Sequence, residues 1–434
     1  MAAILPRGNG TRDPALTGME FRDAIEKDAE DLRTLADRAA AASGQGDFLP
    51  RHIASGNDWL TRERQLDAAA MTLRRAWLGV AHRPGDATLK SPRAGHVAHV
   101  ACGADVSFGY ERDIDVSVLE QRNGYLRAPA GWSADLVLFR SGQAALACLV
   151  HFAAAQWGKS DPLTVTHAGA YFETASLLAS WPQRMIRQID DAAVADIVIA
   201  EPVWCDGQFG CGKRLPTARH ALLLDITMSG PAYDLAPHLD DCPLVIAYSS
   251  GLKLDQAGLE LANAGIVRVL SRDGTREVGT ALRQLRGLTG SGLTLDELSA
   301  LSAPWFMDRA YADRYIAAIF ANNRALAEAI GSRSPVFGAR CHPSFVDPTA
   351  EAPFCALTLN EPSRKNYRAL EARIARECDR RGLLATKGGS FGFRGHRFEL
   401  IEPEHGQTFL RVAMGWRDGW SRQGLCELLA ELAA

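Results

Sequence analysis

An α/β fold, with a large, mostly parallel sheet and a smaller C-terminal α+β domain, is predicted by three features of this 434-residue chain. Short apolar runs alternate with helix-like segments between about residues 135 and 270. The runs are apolar throughout rather than at alternate positions, the pattern of strands buried on both faces. A long helical stretch, about 305–331, then leads into a shorter set of strands and helices. The expected divisions are an N-terminal helical segment (1–105), a large α/β domain (106–304), a linking helix (305–332) and a small C-terminal domain (333–434).

Residues 1–20 carry Gly, Pro and Thr and are expected to be poorly ordered. Residues 20–45 and 57–82 have amphipathic helical spacing, as in Leu60, Leu66, Ala69, Leu73 and Trp77. Leu136–Phe139 reads as a strand before a helix over Ala144–Ala155, and Leu163–Thr166 as a strand before Phe172–Ser180. Ile197–Ala200, Ala221–Leu224 and Leu244–Ala247 continue the strands. Thr294-Leu-Asp-Glu297 is a capping box that opens a helix. The small domain is expected to have strands near 353–359 and 408–413 and helices near 364–381 and 421–433.

Apolar and charged contents of 47% and 23% are ordinary for a globular protein. A net charge of −3 gives no electrostatic case for nucleic acid or an anionic membrane. No basic tail or helix-turn-helix extension points to DNA either. No apolar run is long enough for a membrane span. The start, Met-Ala-Ala-Ile-Leu-Pro-Arg, lacks a signal-peptide core, so a cytoplasmic location is expected. Nine cysteines without a Cys-x-x-Cys pair imply reduced thiols and no metal site. The closest pair, Cys205 and Cys211, has no histidine nearby in sequence.

Ligands in open α/β sheets bind beyond the carboxyl ends of the strands, and several candidate residues fall there. Arg140-Ser-Gly-Gln143 follows a strand and opens a helix. Ser141 is an ordinary helix cap, or else Ser141, Gly142 and Gln143 form a phosphate cradle at the helix N-terminus. Tyr171 opens the next helix, either as a core aromatic or as a ring lying flat on a planar ligand. Ala221-Leu-Leu-Leu-Asp225 ends in an acid, and the following strand runs into Ser250-Gly-Leu-Lys253. An Asp in this place is commonly a cap, and a single Lys is usually on the surface. Taken together, they match a site for pyridoxal 5'-phosphate (PLP). The lysine forms a Schiff base, the acid keeps the pyridine nitrogen protonated, and Ser250 donates to the phosphate.

The order Ser-Gly, Tyr-x-x-Thr, Asp, Ser-x-x-Lys resembles the fold-type-I PLP-dependent enzymes, the aspartate-aminotransferase-like transferases. Within them the chain most resembles the Cys/Met-metabolism family of cystathionine synthases and lyases, over roughly residues 105–430. Tyr110-Glu-Arg112 ahead of Val118-Leu-Glu120 is similar to that family's Tyr-x-Arg segment. Tyr171-Phe-Glu-Thr174 resembles its Tyr-Gly-Gly-Thr, Leu293-Thr-Leu-Asp-Glu297 its Leu-Ser-Pro, and Ala321-Asn-Asn-Arg-Ala325 the Asn-Ala of its long helix. Phe409-Leu-Arg-Val-Ala-Met-Gly415 is similar to its Leu-Arg-Leu-Ser-Val-Gly, and Ser390 matches the Ser of its Ser-Leu-Gly.

The resemblance implies that Tyr110 and Arg112 reach the cofactor phosphate of a neighbouring subunit, in a homodimer or dimer of dimers. The bland alternative pairs Arg112 with Asp113 or Asp115. It also implies that Arg411 and Ser390 bind the substrate; the alternative for Arg411 is a strand arginine with a carboxylate partner. Some positions depart from the family. Leu252 replaces a Thr or Ser, Leu254-Asp-Gln256 a Gly-His, and Glu201-Pro-Val-Trp-Cys-Asp206 the Asn-Pro segment, with an Ala-Glu-Pro also similar to ornithine-type aminotransferases. Phe172 and Glu173 stand for two glycines.

These readings lead to an enzyme that deprotonates an amino acid at Cα, with Lys253 as base, and carries out γ- or β-elimination or replacement in a biosynthetic pathway. S-adenosylmethionine as donor and carbon–carbon bond formation are conceivable variants. An aminotransferase is the first alternative, and a non-catalytic regulatory protein of the same fold is the second.

Overall fold

Proline is tolerated in the first turn of a helix, where its missing N–H has no intrahelical acceptor. The chain uses this at Pro14, which opens a helix running to Ser43. The computed structural model describes residues 14–50, 53, 58–82, 90–158, 161–190, 193–211, 215–240, 242–403 and 407–434. Helix therefore begins six residues before the expected position 20, and residues 1–13 lie outside the described set. A second helix, Trp59–Ala81, is capped by Asp58, which accepts from the Thr61 amide. The apolar faces of this pair, with Leu32, Leu35, Leu66, Leu73 and Trp77, bury against Leu298, Leu301 and Trp305. Trp77 also donates to the Ala300 carbonyl at 2.7 Å.

The large sheet has seven strands in the order Ser133–Phe139, Gly265–Ser271, Leu244–Ser250, Thr217–Asp225, Val194–Ala200, Leu163–Ala168, Ile186–Gln188. Gly265–Ser271 runs antiparallel to both its neighbours, and the remaining pairings are parallel. That strand was not anticipated, because Arg268 interrupts its apolar run. The structure buries Arg268, whose Nη1 donates to the Pro231 carbonyl at 3.1 Å. One sheet face packs Val137, Val165, Ile197 and Leu223 under the helix Gly142–Trp157. The other packs Val198, Leu222, Leu224 and Val245 with Leu235 and Leu239. Both faces are covered, as the uninterrupted apolar runs required.

The linking helix is Arg309–Ile330, capped by Asp308. It starts a few residues after the expected 305 because Met307 takes a left-handed φ of 60°. Beyond it, four short strands pair in the order Cys355–Leu357, Phe409–Ala413, His396–Ile401, Ala385–Lys387. Helices Arg364–Arg381 and Trp420–Ala433 back this sheet through Leu370, Ile374, Leu425 and Leu429.

The N-terminal helices dock through buried charge. Asp28 accepts from Arg394 and, at 2.9 Å, from Arg417. Asp31 accepts from Arg394 and from Tyr311, each at 2.9 Å. Glu63 accepts from the backbone and hydroxyl of Ser421. Burial alone would raise the Asp28 carboxyl, but the two arginines outweigh it and hold it below its ordinary range.

Candidate active site

The parallel strands deliver their carboxyl ends to one edge of the sheet, and the small domain closes over that edge. Between them lies a cavity of about 600 Å³, a size that holds a cofactor and a small substrate. Ser141, Gly142, Gln143, Tyr171, Asp225, Ser250 and Lys253 line it from the large domain, and Ser390 and Arg411 from the small one.

Ser141 caps the helix Gly142–Trp157, accepting from the Ala144 amide at 3.1 Å. A Cβ at position 142 would lie 3.3 Å from the Ser250 nitrogen, so glycine lets the helix start close against the lysine-bearing strand. The result is a helix N-terminus directed at the cavity beside the Ser250 hydroxyl, a combination suited to a phosphate.

Asp225 ends its strand level with Tyr248 on the next. Its carboxylate accepts from the Thr227 amide at 2.9 Å. Burial raises Asp225 from 3.8 to about 6, and the nearby Glu201 adds to the rise against the Thr227 amide and His167. No lysine or arginine forms an ion pair with it among the described residues. A protonated ring nitrogen is the cation this carboxylate lacks, so the site fits PLP on its own electrostatics.

Glu201 is the site residue whose role the sequence did not disclose. It directly follows the strand Val194–Ala200, and it accepts from the Tyr171 amide at 2.9 Å and the Ala170 amide at 3.2 Å. His167 lies 3.0 Å away. Glu201 thereby fixes the backbone that presents Tyr171. The Tyr171 ring borders the cavity, with its hydroxyl on Glu173 at 2.6 Å. Burial and that carboxylate push its phenol well above the ordinary range.

Lys253 donates to the Ser390 hydroxyl and lies 5.7 Å from the Phe391 ring centre. Burial, aided by the Arg411 charge, lowers its amine from 10.5, which favours the neutral form a base needs. Gly392 passes against the Lys253 carbonyl with φ of 84°, and a side chain there would collide with it. Arg411 reaches the cavity but is not free: its guanidinium is paired with Glu399. Burial pulls Arg411 down to about 10, so it stays cationic at neutral pH.

Tyr110 and Arg112 stand apart from this cavity. Tyr110 is 55% exposed, Arg112 lies over its ring at 5.4 Å, and Asp113 is 3.8 Å from the guanidinium. Within one chain the local pairing is therefore what forms.

The fold is that of the fold-type-I PLP-dependent enzymes. Among solved structures, the chain is similar to CalE6, a methionine gamma lyase from Micromonospora echinospora, with 17% identity and a TM-score of 0.52 over 83% of this chain and 98% of that one. It is similar to metB from Corynebacterium glutamicum at 15% identity and a TM-score of 0.56, over 83% and 98% of the two chains. Cystathionine gamma synthase from Xanthomonas oryzae pv. oryzae, solved in complex with cystathionine, gives 14% and 0.54, over 83% and 99%. No family model and no curated protein matches the sequence. At these identities the likeness establishes the architecture alone. No described helix is long and apolar enough to cross a membrane, and no described His, Cys, Asp and Glu group has the makings of a metal site.

Proposed function

We propose that the chain is a PLP-dependent enzyme that acts on an amino acid by γ- or β-elimination or replacement. The observation that carries this is one cavity holding an amine of lowered basicity, a half-buried carboxylate without a cation among the described residues, and a helix N-terminus. The gamma-lyase and gamma-synthase titles of the structural neighbours support the reaction class. Gly142, Gln143 and Ser250 would hold the phosphate, Asp225 the ring nitrogen, and Tyr171 the ring face.

When bound, PLP supplies an electron sink for the charge formed at the substrate α-carbon. Lys253 accepts the α-proton and can return it nearby, since its Nζ is held at the cavity by Ser390. Arg411 takes the substrate carboxylate and so fixes which α-bond is aligned for cleavage. The apolar wall of Val203, Met228, Phe354 and Ile401 surrounds the side chain and excludes water there. S-adenosylmethionine, with a sulfonium γ-leaving group, belongs among the donors to assay, including for carbon–carbon bond formation. Transamination would instead yield a keto acid without any leaving group.

Lys253→Ala is expected to abolish the visible absorbance of the protein-bound cofactor and its covalent trapping by borohydride. Trapping on a different lysine in the wild type would refute the assignment.

The active unit in this reading is at least a homodimer. A phosphate dianion needs more positive charge than one helix N-terminus and a few hydroxyls supply, and Leu252 stands where a further hydroxyl would help. Tyr110 and Arg112, exposed in the single chain, would serve a neighbour's phosphate in this reading. Mixing inactive Arg112→Ala and Lys253→Ala chains is expected to restore part of the activity, because some hybrids carry one intact site. No recovery in verified hybrids would leave Arg112 with its local Asp113 partner.

A further inference from the structure

We infer that Glu399 is a built-in occupant of the substrate-carboxylate site, displaced from Arg411 by a substrate carboxylate. The inference rests on the PLP reading above. Glu399 and Arg411 are directly opposite residues on adjacent antiparallel strands. Directly opposed side chains share one face of the sheet, so the backbone register sets their contact. Both border the cavity. The Arg411 guanidinium lies 5.3 Å from the Phe354 ring centre and 5.7 Å from that of Phe391, packing that holds it in place. Glu399 is therefore the partner free to move. Arg411 Nε is buried without a hydrogen-bond partner among the described residues, so an incoming carboxylate has a donor to engage as Glu399 leaves.

The Glu399 carboxylate has a second task. It accepts from the Ser390 amide at 3.0 Å. Ser390 has φ of 75°, in the left-handed region that side chains disfavour, and its hydroxyl takes the Lys253 amine. Arg411, Glu399, Ser390 and Lys253 thus form one chain of contacts. Two carboxylates cannot share Arg411 cheaply in a largely buried cavity, because each would lack full compensation. A ligand carboxylate that captures the fork must move Glu399. Ser390 then loses the acceptor for its amide. An amine without a carboxylate leaves the chain of contacts intact. The substrate class is an α-amino acid with a free carboxylate, selected by competition with an internal one.

The test titrates PLP-loaded wild type, Glu399→Gln and Glu399→Ala with L-norvaline and with L-norvalinamide, following the cofactor absorbance. Removing the competing charge is expected to tighten L-norvaline binding about tenfold or more while moving the amide by no more than about twofold. The preference for free carboxylate over amide therefore rises. An unchanged or reduced preference in the variants overturns the inference. So does failure of both variants to retain PLP, which would make Glu399 architectural. If the wild type itself carries no PLP trapped on Lys253, the proposed function falls, and this inference with it.

Discussion

An Asp225→Asn protein is expected to be more stable than wild type when stripped of cofactor, and about 10²–10³-fold slower in turnover when loaded. The stability arm follows from burial. The Asp225 carboxyl rises from 3.8 to about 6 in the folded chain, so the folded state binds a proton that the unfolded state has already released. Stability from this group is thus lost as pH rises from about 4 to 6 and stays lost above it. The full rise corresponds to about 3 kcal/mol at neutral pH. Asparagine removes that penalty and keeps an oxygen for the Thr227 amide, which Asp225 binds at 2.9 Å. The activity arm has the opposite sign, since a neutral amide cannot hold a proton on the ring nitrogen. Thermal melts of the two cofactor-free proteins at pH 5 and 7.5 should show the variant's advantage growing with pH. A less stable variant at pH 7.5, or turnover close to wild type, would refute the corresponding arm.

The second large effect is expected far from the cavity. Asp28→Ala should cost about 3–5 kcal/mol, because it removes the carboxylate that two buried arginines share and leaves each with one remaining acid. Arg394 and Arg417 are 3% and 2% exposed and both use this carboxylate. Asp28→Asn should cost less, since it keeps acceptor capacity but not charge. Because the carboxyl is held below its ordinary range, its stabilisation is present above about pH 4 and is lost as pH falls through the lower folded value. Urea unfolding at pH 7 measures the loss, and a change under about 1 kcal/mol would mean that the arginines find other partners.

The large domain was legible because its strands are buried on both faces and so read as plain apolar runs. Lys253, Asp225, Gly142 and Tyr171 could be picked out because each lies where such a run stops. Glu201 ends a run in the same way, but its contacts with the Ala170 and Tyr171 amides are long-range and leave no pattern in sequence. Glu399 was out of reach for a different reason. Its strand, His396–Ile401, carries charged residues at two of its six positions, and pairing with Phe409–Ala413 is what brings the carboxylate to Arg411. The ordinary alternatives for Ser141, Arg411 and Arg112 each describe a real contact: a cap, a carboxylate partner and a local ion pair. For Ser141 and Arg411, that contact coexists with a place in the cavity.

The buried charges that dock the N-terminal helices join the two ends of the chain, since Asp28 and Arg417 are 389 residues apart. During synthesis at about 5–20 residues per second, Asp28 emerges roughly 20–80 s before its second arginine. Leu298, Leu301 and Trp305, against which the apolar faces of the first helices pack, emerge earlier, but Asp28 has no arginine partner until residues 394–417 appear. Native docking is thus among the last steps of folding, and a chain that stops short of residue 394 cannot give its own beginning a native environment.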